Sequence, residues 1–197
     1  MSQARIKNIL HPATNVNERF ISDYKELDEI VSQLKKMGFK IVLTEGVYDL
    51  IHEGHALYLE KARSHGDILI VGVDSDELTR KRKGPDRPIV PQDERVKMLI
   101  HLRHVDIVTL REISHGIDEL IKLVKPDVLI VSETTKDFPV KDVEQYTNYC
   151  GEIKRLPPQA TTTTTGRIRN LTIEGVTRLV REINKLTDEF LGKIKKD

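Results

Sequence analysis

The chain has 197 residues and a nearly balanced charge, with 32 lysines and arginines against 31 aspartates and glutamates. This balance argues against a dedicated nucleic-acid binder, because such proteins carry a basic excess that neutralises phosphates. The single cysteine, Cys150, excludes an intramolecular disulfide framework and a cysteine-rich zinc site, and it fits the reducing cytoplasm. No apolar run approaches the ~18 residues of a membrane-spanning helix, and the first residues lack a signal-peptide pattern, so we expect neither membrane insertion nor secretion.

The N-terminal region is polar and lacks a sustained apolar period. Residues 1–21 contain Pro12 and are expected to form a polar arm without a fixed structure. From Ser22, a candidate N-cap, apolar residues recur at spacings of three and four as far as Met37. This pattern predicts a helix that ends at Gly38 and precedes the first strand.

Strand-like and helix-like patterns then alternate along the chain. Short apolar runs predict strands at 41–43, 68–73, 105–110, 128–131 and 153–156, and intervening patterns predict helices at 54–64, 92–102, 117–124 and 142–150. Apolar strands separated by helices predict an α/β fold, a Rossmann-like parallel sheet with helices on both faces. Because ligands of such sheets bind outside the carboxyl ends of the strands, the loops after Leu43, Val73 and Val131 are the first candidates for a site.

The C-terminal segment has its own pattern, which predicts a long C-terminal helix. Its apolar residues form a stripe along a polar helix of about 25 residues: Ile173, Val176, Val180, Ile183, Leu186, Phe190 and Ile194. Two interpretations stay open, a helix packed across the domain and a subunit contact that makes the chain a homodimer. The predicted organisation is therefore an arm at 1–21, a core domain at 22–170 and an amphipathic helix at 171–197.

The strongest local signal is the segment GVYDLIHEGH at residues 46–55, where the first predicted strand turns into a helix. His52 and His55 lie three residues apart on one helical turn, so both can reach the same small target. The alternatives are two unrelated surface histidines or a metal pair, but no cysteine and no third histidine nearby completes a metal-ligand set. Gly46 and Gly54 permit a close approach of the backbone, and the helix N-terminus offers free N–H groups to an anion, so phosphate is the candidate ligand.

This segment resembles the signature Gly-x-Phe-Asp-x-x-His-x-Gly-His of the cytidylyltransferase-like nucleotidyltransferases, with Tyr48 in place of the phenylalanine. Further along, VDSD at 73–76, KGPDRPI at 83–89 and Glu94-Arg95 resemble the second block of one branch, the heptose-1-phosphate adenylyltransferases of lipopolysaccharide-core synthesis. The threonine run before Gly166-Arg167-Ile168 resembles the third block, whose hydroxyls and helix N–H groups hold the terminal phosphates of the nucleotide. The resemblance covers residues 22–170.

Two positions depart from that branch. Val131–Thr135 stands where the branch has Lys-Gly-Gly-Asp-Tyr, in a loop that contributes to base recognition in related enzymes. Its Val-Ser-Glu-Thr string is more similar to the archaeal and eukaryotic phosphopantetheine adenylyltransferases. Glu45 stands where an asparagine or a small residue is common, beside the acceptor pocket. The choice between ATP and CTP and the identity of the acceptor therefore stay open at this point.

The resemblance implies that a phosphate oxygen of a small metabolite attacks the α-phosphorus of a nucleoside triphosphate and releases pyrophosphate. AMP transfer from ATP to a sugar 1-phosphate is the favoured form. The alternatives are a cytidylyltransferase for a polyol or amino-alcohol phosphate, a phosphopantetheine adenylyltransferase, and a nucleotide-binding module without turnover. Because the acceptor phosphate is already ionised at neutral pH, catalysis is expected to depend on positioning and charge stabilisation.

The resemblance also implies residue roles. The expected catalytic residues are His52, His55 and Lys83, and the expected contacts to phosphate or acceptor are Lys81, Arg87 and Arg95. The expected nucleotide-binding residues are Gly46, Val47, Tyr48, Asp49, Gly54, His55, Thr163, Thr164 and Thr165. Asp49 is further expected to organise its loop through backbone hydrogen bonds, and Arg80–Lys83 to form a basic loop. We expect Mg²⁺ to arrive with the triphosphate, and we predict no protein metal site.

Overall fold

The computed structural model describes residues 2–11, 16–116, 118–133, 146–160 and 164–194. The chain divides into two units, residues 1–161 and 162–197, each of which is described by itself. No helix in these described ranges is long and apolar enough to cross a membrane.

The first unit is built on one parallel sheet. Its strands are β1 (Ile41–Gly46), β2 (Ile68–Asp74), β3 (Ile107–Arg111), β4 (Val128–Ser132) and β5 (Glu152–Leu156). They lie in the order β3-β2-β1-β4-β5, and every pair is parallel. The predicted parallel α/β sheet is therefore confirmed. The chain leaves β1 in one direction and returns to β4 on its other side, so the carboxyl end of β1 is the switch point where such folds bind ligands.

Helices cover both faces of this sheet. They are α1 (Ser2–Leu10), α2 (Tyr24–Lys36), α3 (Glu53–Arg63), α4 (Asp76–Lys83), α5 (Gln92–Ile100) and α6 (Glu119–Val124), with a 3-10 helix at Val16–Arg19. Successive strand side chains point to opposite faces. In β1, Ile41 and Leu43 pack with α1, α2 and α6, whereas Val42 packs with α3 and α5. Burial on both faces explains why the strands read as continuous apolar runs.

The N-terminal region differs from the expected polar arm. Residues Ser2–Leu10 form α1, and Ile6 and Ile9 are buried in the core beside α2. Arg5 anchors this helix, because its guanidinium donates to Glu26 and to the carbonyl oxygen of Phe20, each at 2.6 Å. Nine residues with two buried apolar side chains are too short to show a period in the sequence, and tertiary packing stabilises the helix instead.

The first long helix begins one residue later than expected. Asp23, not Ser22, caps α2, since its carboxylate accepts hydrogen bonds from the N–H groups of Lys25 and Glu26. Gly38 follows the helix with a φ of 87°, in the left-handed region that glycine adopts readily.

The basic stretch Arg80–Lys83 is helical and does not form the expected loop. It is the last turn of α4, whose first turn is capped by Ser75 through a hydrogen bond from the N–H of Leu78 at 3.1 Å. Acidic residues at the start of a helix and basic residues at its end suit the helix dipole. Four consecutive cations resemble a solvated loop in the sequence because only Leu78 and Thr79 of this helix are buried.

The structure describes the predicted helix at 142–150 only from residue 146 onward, where Tyr146 has a 3-10 conformation and no α-helix forms. Residues 147–149 form a turn, and residues 142–145 lie outside the described part of the chain. Cys150 follows this turn and packs against the core beside α2, where burial raises the pKa of its thiol to about 11. This position fits the expectation of a small apolar filler rather than a nucleophile.

The second unit contains one continuous helix, α7 (Thr164–Ile194). The predicted boundary between residues 170 and 171 therefore falls inside a single helix, which contains Thr164 and Thr165 of the third block as well as the apolar stripe. Seven apolar side chains of α7, five of them in the stripe, are 49% to 67% exposed: Leu171, Ile173, Val176, Leu179, Val180, Ile183 and Leu186.

Candidate active site

The signature segment forms a loop with an unusual backbone between β1 and α3. Tyr48 and Leu50 have φ values of 53° and 49°, a region in which residues with a side chain are strained. Gly46 lets the Tyr48 ring fold back over the end of β1, because a Cβ at position 46 would lie 3.1 Å from Cε2 of that ring. A loop of this kind keeps its shape only where neighbouring groups hold it.

Asp49 is one of those groups. It is 2% exposed, and its carboxylate accepts hydrogen bonds from the N–H groups of Ile89 and Val90 at 2.9 to 3.1 Å. Arg87 contacts the same carboxylate at 2.9 Å through Nη2. Asp49 is thus placed as expected for a residue that organises loops, and it joins the signature segment to the stretch at 83–89.

Arg95 is the second group that holds the loop, and its position corrects an expectation. Its side chain is fully buried, so it does not present its guanidinium to a phosphate as the sequence suggested. The guanidinium donates instead to the carbonyl oxygens of Val47, Asp74 and Val90 at 2.5, 2.9 and 2.9 Å, and pairs with Asp76 at 2.7 Å. Arg95 therefore positions the signature loop through its hydrogen bond to the carbonyl oxygen of Val47. An arginine in a helical pattern carries no sequence signal for this role.

The two histidines meet at the start of α3. His52 caps this helix, because its Nδ1 accepts a hydrogen bond from the N–H of Gly54 at 3.1 Å. The ring centroids of His52 and His55 are 4.1 Å apart, and the Tyr48 ring contacts His55 edge-on at 5.6 Å. A Cβ at position 54 would lie 2.9 Å from the His52 ring and 3.0 Å from Cβ of Ala160, so only glycine fits this position without a shift.

His55 is neutral at physiological pH. Burial, together with the charges of His52 and Lys83, lowers its pKa to about 4. The charge of Lys83, at the basic end of α4, therefore acts on His55. Nδ1 of His55 is buried and has no hydrogen-bond partner in the described part of the chain, which leaves a polar atom for a ligand to satisfy.

The other candidate residues are distributed as follows. Lys81 and Lys83 are exposed at the end of α4. Thr164 and Thr165 lie in the first turn of α7, where the helix dipole favours an anion, and Thr163 lies outside the described residues. Within the described ranges, no three His, Cys, Asp or Glu side chains lie close enough together to hold a metal ion.

Sequence reasoning missed a buried charge cluster at the carboxyl ends of β1, β2 and β3. Nη1 of Arg111 lies 2.8 Å from Asp74 and 3.2 Å from Glu45, and Arg82 pairs with the second oxygen of Asp74. Arg111 and Glu45 meet across β2 because residue 72 is glycine: a Cβ there would lie 3.1 Å from Arg111 Cδ and 3.4 Å from Glu45 Cγ. The only signal in the sequence is a charged residue near the end of each of three buried strands.

A family model described as cytidylyltransferase-like matches residues 43–171. The matched range contains the signature loop, the stretch at 83–89 and the threonine run.

Curated relatives include two proteins named bifunctional protein HldE. The protein of a Nitratiruptor species is 48% identical over 113 residues, which are 57% of this chain and 24% of that protein. The protein of Desulfatibacillum aliphaticivorans is 36% identical over 171 residues, which are 87% of this chain and 35% of that protein. The chain thus spans between 24% and 35% of the length of these relatives.

Solved structures share the fold. The lipopolysaccharide core biosynthesis protein from Thermoplasma volcanium has a TM-score of 0.54 at 26% identity, over 62% of this chain and all of that one. A pantoate-beta-alanine ligase from Francisella tularensis has a TM-score of 0.54 at 18% identity, over 72% of this chain and 67% of that one, and shows the fold alone.

The protonation of His55 can be measured by histidine NMR in the free protein. We expect its ring to titrate near pH 4, because burial and the neighbouring positive charges disfavour the imidazolium. Since this pKa lies below the ~6.5 of an unfolded histidine, the stabilising contribution is present above pH ~6.5 and is lost as the pH falls towards 4. His55→Gln identifies the resonance. A titration midpoint near 6.5 in the free protein would contradict this environment.

Proposed function

Because the chain belongs to the cytidylyltransferase-like family, we propose that it is a nucleotidyltransferase that transfers AMP from ATP to a sugar 1-phosphate and releases pyrophosphate. The observation that carries this proposal is the pair of histidines, with ring centroids 4.1 Å apart, at a helix N-terminus beside the switch point of the sheet. The KGPDRPI stretch, which resembles the heptose-1-phosphate adenylyltransferases, and the similarity to the HldE relatives favour ATP and a sugar phosphate over the alternatives.

The proposed reaction needs charge stabilisation rather than a general base. The acceptor phosphate is ionised at pH 7, and its oxygen attacks the α-phosphorus as the bond to pyrophosphate breaks. Nδ1 of His52 accepts the N–H of Gly54, so the ring carries a proton on Nε2, which we assign as a donor to an α-phosphate oxygen. His55, whose lowered pKa keeps it neutral at pH 7, donates a second hydrogen bond. Donors held in place in this way act most strongly as charge develops on the phosphate.

Further residues are proposed to bind the charged parts of the substrates. Lys83, at the end of α4, neutralises phosphate charge near His55, and Lys81 is the second cation of this helix turn. Arg87 contacts phosphate from the stretch that Asp49 holds. The threonines at the start of α7 keep the role that the resemblance of the third block implies, contact with phosphates of the nucleotide. Mg²⁺ enters with ATP as part of the substrate, which suits an ion that keeps most of its water ligands. The reaction takes place in the cytoplasm.

Pyrophosphate release is the direct test of this function. We expect turnover with ATP and a sugar 1-phosphate, in a panel that pairs ATP, CTP, GTP and UTP with sugar, polyol, amino-alcohol and pantetheine phosphates. His52→Ala and His55→Ala should each lower kcat by ~10²- to 10³-fold, as the loss of one preorganised donor does. His101→Ala, an exposed histidine at the end of α5, is the matched control and should keep full activity.

Two results would reject parts of the assignment. Preference for CTP would overturn the choice of nucleotide. CTP is included in the panel because the loop at 131–135 departs from the sequence of the adenylyltransferase branch. No turnover with any pair would overturn the enzymatic assignment and favour a nucleotide-binding module.

We also propose that α7 joins two copies of the chain as a homodimer. Ile173, Val176, Val180 and Ile183 repeat at spacings of three and four, the pattern of a two-helix seam, and all are at least 49% exposed. Ile183→Asp should shift the sedimenting mass of the full chain from dimer to monomer. Arg181→Asp adds the same side chain on the opposite side of the helix and should leave the dimer intact. A monomeric wild-type chain would contradict the proposal.

A further inference from the structure

The charge cluster at the carboxyl edge of the sheet lies on the face covered by α2 and α6, and none of the chemistry above uses it. Glu45 on β1 belongs to this face because it continues the alternation of Ile41 and Leu43. Tyr24, the first residue of α2, packs on the same face. Burial raises the pKa of the Tyr24 hydroxyl, and the charge of Glu45 on the same face raises it further.

Two buried polar atoms of this cluster have no hydrogen-bond partner among the residues that the structure describes: Glu45 Oε1 and Tyr24 Oη. The Glu45 side chain is only 7% exposed. Buried polar groups are almost always hydrogen-bonded. Two such atoms without a described partner, at the carboxyl edge of the sheet where folds of this kind bind ligands, therefore require an explanation. Glu45 Oε1 can accept a hydrogen bond, and Tyr24 Oη can donate one. A group that both donates and accepts, such as a hydroxyl, would satisfy both.

The charges of the cluster favour a neutral ligand group. Glu45 and Asp74 face Arg111 and Arg82, so the four side chains cancel when all are ionised. Burial raises the pKa of Glu45 to about 7 in spite of Arg111, which shows how little further negative charge this site accepts. A phosphate would add negative charge beside two carboxylates, and a cation would compete with two guanidiniums already in place. A sugar hydroxyl does neither.

The cluster adjoins the proposed reaction site through shared residues. Nη1 of Arg95 donates to the carbonyl oxygens of both Val47, in the signature loop, and Asp74, in the cluster. Asp74 also pairs with Arg82, the neighbour of Lys83 on α4. The signature loop and the cluster are therefore joined through one guanidinium, that of Arg95.

We propose that Glu45 and Tyr24 form a hydroxyl-binding subsite for the sugar part of the acceptor. Glu45 Oε1 accepts a hydrogen bond from a sugar hydroxyl, and Tyr24 Oη donates one to the same or a neighbouring hydroxyl. This subsite rests on the proposed function, since it assigns a polyhydroxylated acceptor to the same reaction site.

Tyr24→Phe separates this role from a structural one. In the free protein the Tyr24 hydroxyl has no partner in the described ranges, so its removal should leave the stability against unfolding unchanged or higher. A ligand contact predicts instead that the Kd of the acceptor rises on the order of tenfold. Calorimetric titration of the full chain with heptose 1-phosphate, in the presence of Mg²⁺ and a non-hydrolysable ATP analogue, measures this Kd directly.

The variant set completes the test. Glu45→Gln should also raise the Kd of heptose 1-phosphate on the order of tenfold, while the Kd of the ATP analogue stays unchanged. Thr109→Val is the matched control, because it removes another buried hydroxyl without a described partner from the same face of the sheet. It should leave the acceptor Kd unchanged. Ethyl phosphate, an acceptor analogue without hydroxyls, should bind wild type, Tyr24→Phe and Glu45→Gln equally.

The outcomes distinguish the subsite from the function. If wild type binds heptose 1-phosphate and both variants bind it equally well, the subsite is overturned and the proposed function stands. The subsite is also overturned if Tyr24→Phe and Glu45→Gln raise the Kd of ethyl phosphate as much as that of heptose 1-phosphate. The same holds if Thr109→Val raises the Kd of heptose 1-phosphate as much as they do, because the effect is then not specific to sugar hydroxyls. If wild type neither binds nor turns over any sugar phosphate, the proposed function fails and the subsite fails with it.

Discussion

The candidate site depends on one buried carboxylate that holds a strained loop. Tyr48 and Leu50 both have positive φ, and Asp49 lies between them with its carboxylate on the N–H groups of Ile89 and Val90. Arg95 holds the same loop from the other side through the carbonyl of Val47. The strained conformations of Tyr48 and Leu50 cost free energy, which contacts from outside the loop must offset. The position of the histidines that follow is therefore set by contacts to a stretch some 40 residues further along the chain.

The sheet could be predicted from the sequence because its strands are buried on both faces and read as apolar runs between helical patterns. The signature segment could be located because its glycines and histidines have a specific spacing. Arg95 could not be assigned, since a phosphate contact and a buried anchor for three carbonyl groups look the same in a sequence. The helix at the basic stretch was missed because its one capping residue, Ser75, and one buried leucine give too short a pattern. The first helix, α1, could not be predicted either, because tertiary contacts stabilise it. Its anchor, Arg5, pairs with Glu26, which lies 21 positions further along the chain.

The near-zero net charge conceals two opposite arrangements in the first unit. On the α3 side, burial and the charges of His52 and Lys83 lower the pKa of His55, and the exposed cations at the end of α4 make this end of the sheet attractive to phosphates. On the α2 side, two carboxylates and two guanidiniums neutralise each other in a buried cluster. A substrate with a charged end and a neutral hydroxylated end matches this division, as a sugar phosphate does. Total charge bears on nucleic-acid binding, whereas its placement bears on the substrate.

Backbone hydrogen exchange at Ile89 and Val90 tests most directly whether Asp49 holds the loop. These residues belong to no helix or strand, and the described acceptor for their N–H groups is the Asp49 carboxylate. The structure predicts that both amides are protected in the wild-type chain and exchange much faster in Asp49→Ala, while the amide of Leu43, inside β1, keeps its protection. Fast exchange of both amides in the wild type, or the same protection in Asp49→Ala, would contradict the account.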